Sequence, residues 1–322
     1  MFSNKSAIVN KADTKNKRDK VYFFAIVLLL IKNTVLLVYQ FSDETAFSRN
    51  IGWFSNSEQA SLKNKRVAIA GLGGVGGAHL ITLSRLGISA FNISDFDIFE
   101  LQNFNRQSGA FCSTIDRKKI DVMTELALDI NPNSKINKFN EGVNDSNLDD
   151  FLRDVDIYVD SLDFFCLEIR RKVFAKCREK GIPAITAAPL GMGSAFLYFD
   201  PNGMSFEEYF DFGEDEEDNY IKFLVGLSPS LMQVKYLISD GTVDFTKGKG
   251  PSTVIGCDLC AGVAGANAVK ILLNRGTVLA APYGYHVDAY LNRSKRTYRP
   301  WGNKNIIQKL VFNIAKKRIS KK

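Results

Sequence analysis

A chain of 322 residues has room for one large α/β domain or two smaller ones. With 45% hydrophobic and 24% charged residues it is neither collagen-like, wholly disordered nor a multi-span membrane protein. The formal charge of +7 belongs to the ends: residues 1–20 and 291–322 together hold +15 and leave residues 21–290 at −8, so no nucleic-acid partner is expected for the body of the chain. The first element, residues 21–41, is an apolar run interrupted by Lys32, Asn33 and Thr34. Spanning a bilayer would put those three near its middle and, with the basic residues before it inside, send everything after Phe41 to a side without nucleotide. A non-spanning segment is favoured: an amphipathic or buried helix, a monotopic anchor that contacts a membrane, or residues upstream of the start codon in use. Five scattered cysteines, an odd number, fit a reducing, cytoplasmic compartment rather than a disulfide framework.

From Arg66 the pattern alternates strand and helix. Strands are predicted at 66–71, 88–97, 134–139, 154–163 and 182–188. Helices follow the glycines at 71–76 and cover 116–132, ending before Pro132, and 168–181, ending at a glycine. The fold class is therefore α/β, a doubly wound, mostly parallel sheet of the Rossmann-like type. After Asp200 the rhythm breaks into an irregular C-terminal extension. The stretch 207–218 holds eight carboxylates and reads as a solvated lid or crossover loop. Helices are predicted at 228–239 and 258–276, and at 303–318, whose Ile306, Ile307, Leu310, Val311 and Ile314 share one face open to two readings, contact with anionic lipid or docking on the body, of which docking is expected. The division is a basic and hydrophobic segment 1–45, a nucleotide-binding domain 46–290 and a basic tail 291–322 with its amphipathic helix.

Chemistry begins at Gly71, Gly73 and Gly76, spaced G-x-G-x-x-G between a strand and a helix, where glycine lets the backbone approach a phosphate at a helix N-terminus. Asp95 ends the second predicted strand, where a carboxylate can receive ribose hydroxyls. These features alone fit an NAD-dependent oxidoreductase equally well. What separates the two readings is the set that follows: Asp97, Asn103, Arg106, Gln107 and then Lys119 place cations beside the phosphates. Asp163, or more weakly Asp160, is available to Mg²⁺.

The motifs SRNIG, RVAIAGLGGVGG, DFDIFELQNFNRQ, KK-x-DVMTELALDINP and DSLD, in that order between about Phe47 and Phe199, resemble the ThiF/MoeB/HesA-like adenylyltransferases, relatives of ubiquitin-activating enzymes. The resemblance implies a phosphate turn at Gly71, Gly73, Gly74 and Gly76, a ribose carboxylate at Asp95, triphosphate contacts from Asn103, Arg106 and Lys119, and Mg²⁺ at Asp163. It implies that Arg49 reaches into a neighbouring subunit's site, hence a homodimer. The implied reaction is attack of a carboxylate, such as the C-terminal glycine of a ubiquitin-like or sulfur-carrier protein, on the α-phosphorus of ATP. One Cys257-x-x-Cys260 pair is half a zinc site, so no structural zinc is expected. No cysteine lies between Cys177 and Cys257 to carry a thioester. His286 reads as a strand residue packed against tyrosines. The competing readings are the oxidoreductase and a non-catalytic nucleotide-binding scaffold.

Overall fold

The computed structural model describes residues 40–238 and 250–319. The apolar run 21–41 lies outside them save for its last two residues. The chain divides into two compact units, residues 1–48 and 49–322. In the first, the short helix α1 (Asp43–Ala46) is capped by Ser42, whose hydroxyl accepts the Thr45 amide. All that follows concerns the second unit.

Its opening helix α2 (Asn56–Lys63) starts on a capping box in which Ser55 and Glu58 satisfy each other's amides. Then come β1 (Arg66–Ala70), α3 (Gly74–Arg85), β2 (Ala90–Ser94), α4 (Lys119–Ile130), β3 (Lys135–Phe139), α5 (Leu148–Phe151), β4 (Ile157–Asp160), α6 (Leu167–Glu179) and β5 (Ala184–Leu190). The sheet order β3-β2-β1-β4-β5 is parallel throughout. Strand β1 shows why the residues build this arrangement. Val67 and Ile69 enter the apolar cluster on one face, with Leu80, Leu83 and Met123, while Ala68 and Ala70 enter the cluster on the other, with Phe151, Tyr158 and Phe174. Both faces are covered by helices, so a buried parallel strand reads as a continuous apolar run.

The region after Asp200 is more ordered than its sequence suggests. Strands β6 (Gly193–Phe199), β7 (Tyr283–Asp288) and β8 (Arg293–Tyr298) extend the sheet antiparallel from β5, completing eight strands. The acidic stretch is not a solvated loop. It forms α7 (Phe206–Phe210), again with a capping box, and the first turn of α8 (Glu216–Leu227). Phe206, Tyr209 and Phe210 are buried in an aromatic cluster with Phe174, Phe199 and Phe223. Six of its eight carboxylates, Glu207, Glu208, Asp215, Glu216, Glu217 and Asp218, fall on an N-cap or in a first turn, where the helix dipole favours them. No helix forms over 228–238; a 3₁₀ turn, Met232–Lys235, stands there. Helix α9 (Val254–Leu272) begins four residues before the predicted start because Thr253 caps it. It packs on α3, β5 and β6, and Gly265 admits it to the Thr82 methyl, which a Cβ there would meet at 3.2 Å. Among the described residues α9 is the one helix long and apolar enough to cross a membrane, but it is a core helix of the sheet.

The last helix, α10 (Ile306–Ile319), does dock on α8, but not through the face expected. Gln308 is buried and bonds the Val225 carbonyl at 3.2 Å, with Val311, Phe312 and Ala315 half-buried beside it. Ile306, Ile307, Leu310 and Ile314 remain exposed. A polar residue with three hydrogen-bond partners, Val225, Asn303 and Arg299, sets the helix rotation instead of the isoleucines.

Candidate active site

Strand order places β1 beside β4, and the chain leaves these two in opposite directions, towards β2 and β5. That opens a crevice at their carboxyl ends, the usual ligand position of a doubly wound sheet. Residues 71–76 turn through it. Gly71 has φ +85°, continues the sheet by donating to the Ser94 carbonyl at 2.8 Å, and sends its own carbonyl to the Ser161 hydroxyl at 3.1 Å. A Cβ on Gly76 would lie 1.8 Å from that same carbonyl, so only glycine fits there. Helix α3 then starts at Gly74 with no side-chain cap, leaving first-turn amides unclaimed and facing the crevice.

Asp95, one residue past β2, receives the Leu72 amide at 2.6 Å and the Asp97 amide at 2.8 Å on its two oxygens. Burial pushes its carboxyl pKa up, opposed by those amides and by Lys119. Lys119, the first residue of α4, is 6% exposed; it bonds the Asp97 carbonyl through its amide and the Asp97 carboxylate through Nζ, each at 2.9 Å. Arg106 lays its aliphatic stem against Gly74, where a Cβ would meet its Cγ at 3.3 Å. Its guanidinium bonds Gln102 and Asn105 of its own loop. Asn103 is buried and spends Oδ1 on the Glu100 amide, closing the 3₁₀ turn Leu101–Asn103.

Asp163 lies two residues past Ser161 and is exposed, with one oxygen on the Phe165 amide at 3.0 Å. Its charge and that of Asp97 both act on Cys166, whose thiol pKa is raised by burial first and then by these carboxylates, so the β2 and β4 loops converge. Asp160, the weaker sequence candidate for a metal, is unavailable. Arg170 on α6 pairs with it at 3.0 Å in a fully buried salt bridge, and the Tyr158 hydroxyl bonds it at 3.1 Å. Arg49 stands apart from the others on the exposed 3₁₀ turn Ser48–Asn50, its guanidinium joined to no described residue.

The crevice thus gathers Gly71, Gly73, Gly74, Gly76, Asp95, Asp97, Arg106, Lys119 and Asp163, and leaves Arg49 outside. Three further groups belong to it. Gln107 is 7% exposed, its amide nitrogen lies 3.7 Å from where a Gly73 Cβ would stand, and its Oε1 has no partner. Ser161 holds the turn. Cys257, from the second turn of α9, brings its sulfur within 2.8 Å of a Gly74 Cβ; burial raises its pKa against the pull of Ser252 and Arg106. Gln107 already stands in the set that the sequence singles out beside Arg106, whereas the signal for Ser161 is its place between Asp160 and Asp163. Nothing near Cys257 in sequence points to residue 74. His286 on β7 is buried and meets the Ser230 hydroxyl at 2.7 Å and the Ser228 hydroxyl at 3.3 Å through Nδ1.

The donor set suits a nucleotide triphosphate with Mg²⁺: an unpartnered buried amide oxygen, free helix amides, two cations and an exposed carboxylate. Mg²⁺ takes one or two carboxylates plus phosphate oxygens. Among the described residues no three His, Cys, Asp or Glu side chains cluster to hold a metal by themselves.

Sequence comparison aligns part of the chain with enzymes of known name. It is 31% identical over 150 residues to the tRNA threonylcarbamoyladenosine dehydratase of Bacillus subtilis (strain 168), covering 46% of this chain and 57% of that protein. It is 28% identical over 146 residues to the molybdopterin-synthase adenylyltransferase of Escherichia coli (strain K12), covering 45% and 58%. The chain thus spans a little over half the length of these relatives. Among solved structures, E. coli MccB with SeMet MccA superposes with a TM-score of 0.62 at 20% identity over 83% of this chain and 75% of that one. PaaA superposes with 0.61 at 18% over 86% and 82%. These likenesses establish the fold. The sheet, the glycine turn and its surrounding charges all lie inside residues 47–305, the span matched by the ThiF family, and on that ground the chain belongs to the ThiF family.

Proposed function

We propose that the protein is an ATP-dependent adenylyltransferase that activates a carboxylate, the C-terminus of a small carrier protein or peptide, as an acyl-adenylate with release of pyrophosphate. The observation that carries this reading is the charge around the turn. Lys119 is buried beside it, Arg106 lies over Gly74 and Asp163 faces the same crevice. Hydride transfer leaves the cofactor's phosphates intact and builds no new charge on them, whereas transfer of an adenylyl group proceeds by positioning and by stabilising charge at the phosphates. Relatives named as adenylyltransferases for molybdopterin synthase and for the sulfur carrier protein ThiS support the same reaction class.

In this scheme the substrate carboxylate is already ionised and needs no general base. The amides of residues 73–76 and the Gln107 side chain orient the phosphates, Asp95, held by the Leu72 amide, takes the ribose hydroxyls, and Arg106 and Lys119 neutralise charge that builds on the α-phosphoryl group and the departing pyrophosphate. Lys119 is held for this by Asp97, and Asn103 by its turn. Mg²⁺, bound at Asp163, would supply Lewis-acid stabilisation of the phosphate oxygens. Arg49 is assigned to the site of a second copy, a homodimer in which each crevice is completed by its mate. Its free guanidinium supports this, as do the exposed Phe96, Leu101 and Phe111 on the loop that carries Arg106. The free cysteines and the need for ATP support a cytoplasmic location. On this reading residues 46–290 form the adenylation domain and residues 1–45 and 291–322 are appended to it.

Carboxylate-dependent exchange of labelled pyrophosphate into ATP tests the proposal. Exchange is expected with the cognate carrier or peptide in a fractionated extract, with AMP appearing on its C-terminus by mass spectrometry. Tight NADH binding with no ATP binding would overturn it.

A further inference from the structure

Helix α10 is anchored at both ends of α8, by Gln308 to the Val225 carbonyl and by Lys316 to Asp218. Its rotation is therefore fixed. At 100° per residue, Ile306, Ile307, Leu310 and Ile314 fill one arc of about 100° on the side away from α8. They are 82%, 50%, 61% and 47% exposed, a continuous stripe rather than scattered residues. Every charged residue on α10 is basic. Lys309 and Lys316 border the stripe on one side, Arg318 on the other, and Lys317 closes it. From Leu291 to Lys322 the chain holds eleven basic residues and no acidic one.

The occupant must satisfy both features. A second copy related by a two-fold axis would set lysines against lysines, and RNA would use the cations while leaving four large aliphatic side chains in water. A bilayer surface carrying anionic headgroups takes the aliphatic stripe into its acyl boundary and the basic borders at its headgroups. Asp218 already holds Lys316, so the attraction rests on Lys309, Lys317 and Arg318. We propose that the outward face of α10 docks on anionic lipid and holds the protein at a membrane surface as an interfacial helix lying in the plane. The proposal is independent of the reaction assigned above.

The test places a reporter on the stripe of the full-length chain: Leu310→Trp, with Trp53→Phe and Trp301→Phe to silence the background. With vesicles of phosphatidylcholine and phosphatidylserine, emission at residue 310 is expected to shift to the blue and to be quenched by brominated acyl chains, and phosphatidylcholine alone should do neither. The double variant Leu310→Glu, Ile314→Glu alters only exposed positions and should lower vesicle affinity about tenfold. Three results would overturn the proposal: a chain that pellets with vesicles while residue 310 stays unshifted, unchanged affinity in the double variant, or a shift produced by self-association or by added tRNA without lipid.

Discussion

Lys119 is almost wholly enclosed, yet the carboxylate that holds it, Asp97, keeps about half its side chain in water. Removing the lysine therefore leaves an anion that can rehydrate, and Lys119→Met should fold with little change in melting temperature. If Lys119 stabilises the transferring phosphoryl group, the same variant loses about a hundredfold in pyrophosphate exchange, some 3 kcal/mol. A merely structural lysine would show the reverse pattern. His79, on α3 directly behind the glycine turn, makes a different kind of prediction. Neither ring nitrogen has a partner and burial drives its pKa down to about 3. The unfolded chain then takes up a proton below pH 6.5 that the folded chain refuses, so stability falls as pH drops from about 6.5 towards 3. The slope is about 1.4 kcal/mol per pH unit. In His79→Met, urea titrations at pH 6 and pH 5 should differ less than in the wild type by about that amount.

Elements were read best where a face is fully buried. The five parallel strands and the three long helices between them were legible because their apolar runs and glycine or proline stops have one reading. Of the antiparallel strands only β7 was touched, through His286. β8 runs Arg293-Ser-Lys-Arg-Thr-Tyr on an open edge, with only Thr297 buried, and carries no apolar alternation to find. The acidic helices were hidden by composition, since eight carboxylates outweigh aromatics that turn inward. At the site, the residues on the motif were legible, but the fate of Asp160 was not: its partner Arg170 sits ten residues on, in a helix marked in the sequence only by its span and its glycine stop. That pair sets the element-scale prediction. Asp160 is buried with no route to water, and Arg170 also bonds the Leu162 carbonyl and lies 4.7 Å over the Phe223 ring. Arg170→Met should cost about 3–5 kcal/mol by chemical denaturation. Asp160→Asn placed on top of it should restore part of that loss by removing the stranded charge.

For the whole molecule the decisive question is whether one copy suffices. Arg49 lies outside the crevice that gathers Arg106 and Lys119, so complementation answers it. Arg49→Ala and Lys119→Met should each fall to about a hundredth of the wild-type exchange rate. Mixed in equal amounts after unfolding and refolding, they should regain about a quarter of the wild-type exchange rate, because half the dimers are hybrid and each hybrid holds one intact site. No recovery would assign Arg49 to its own chain or to nothing. The hydroxyl of Ser161 on the Gly71 carbonyl bears on the machinery as a whole. It stitches the loop that would cradle phosphates to the loop that would carry the metal, across two strands already paired edge to edge. Lifting either lip breaks that bond, so if a carrier's tail is the substrate, the movement that admits it is expected at the rim of the crevice rather than in its floor.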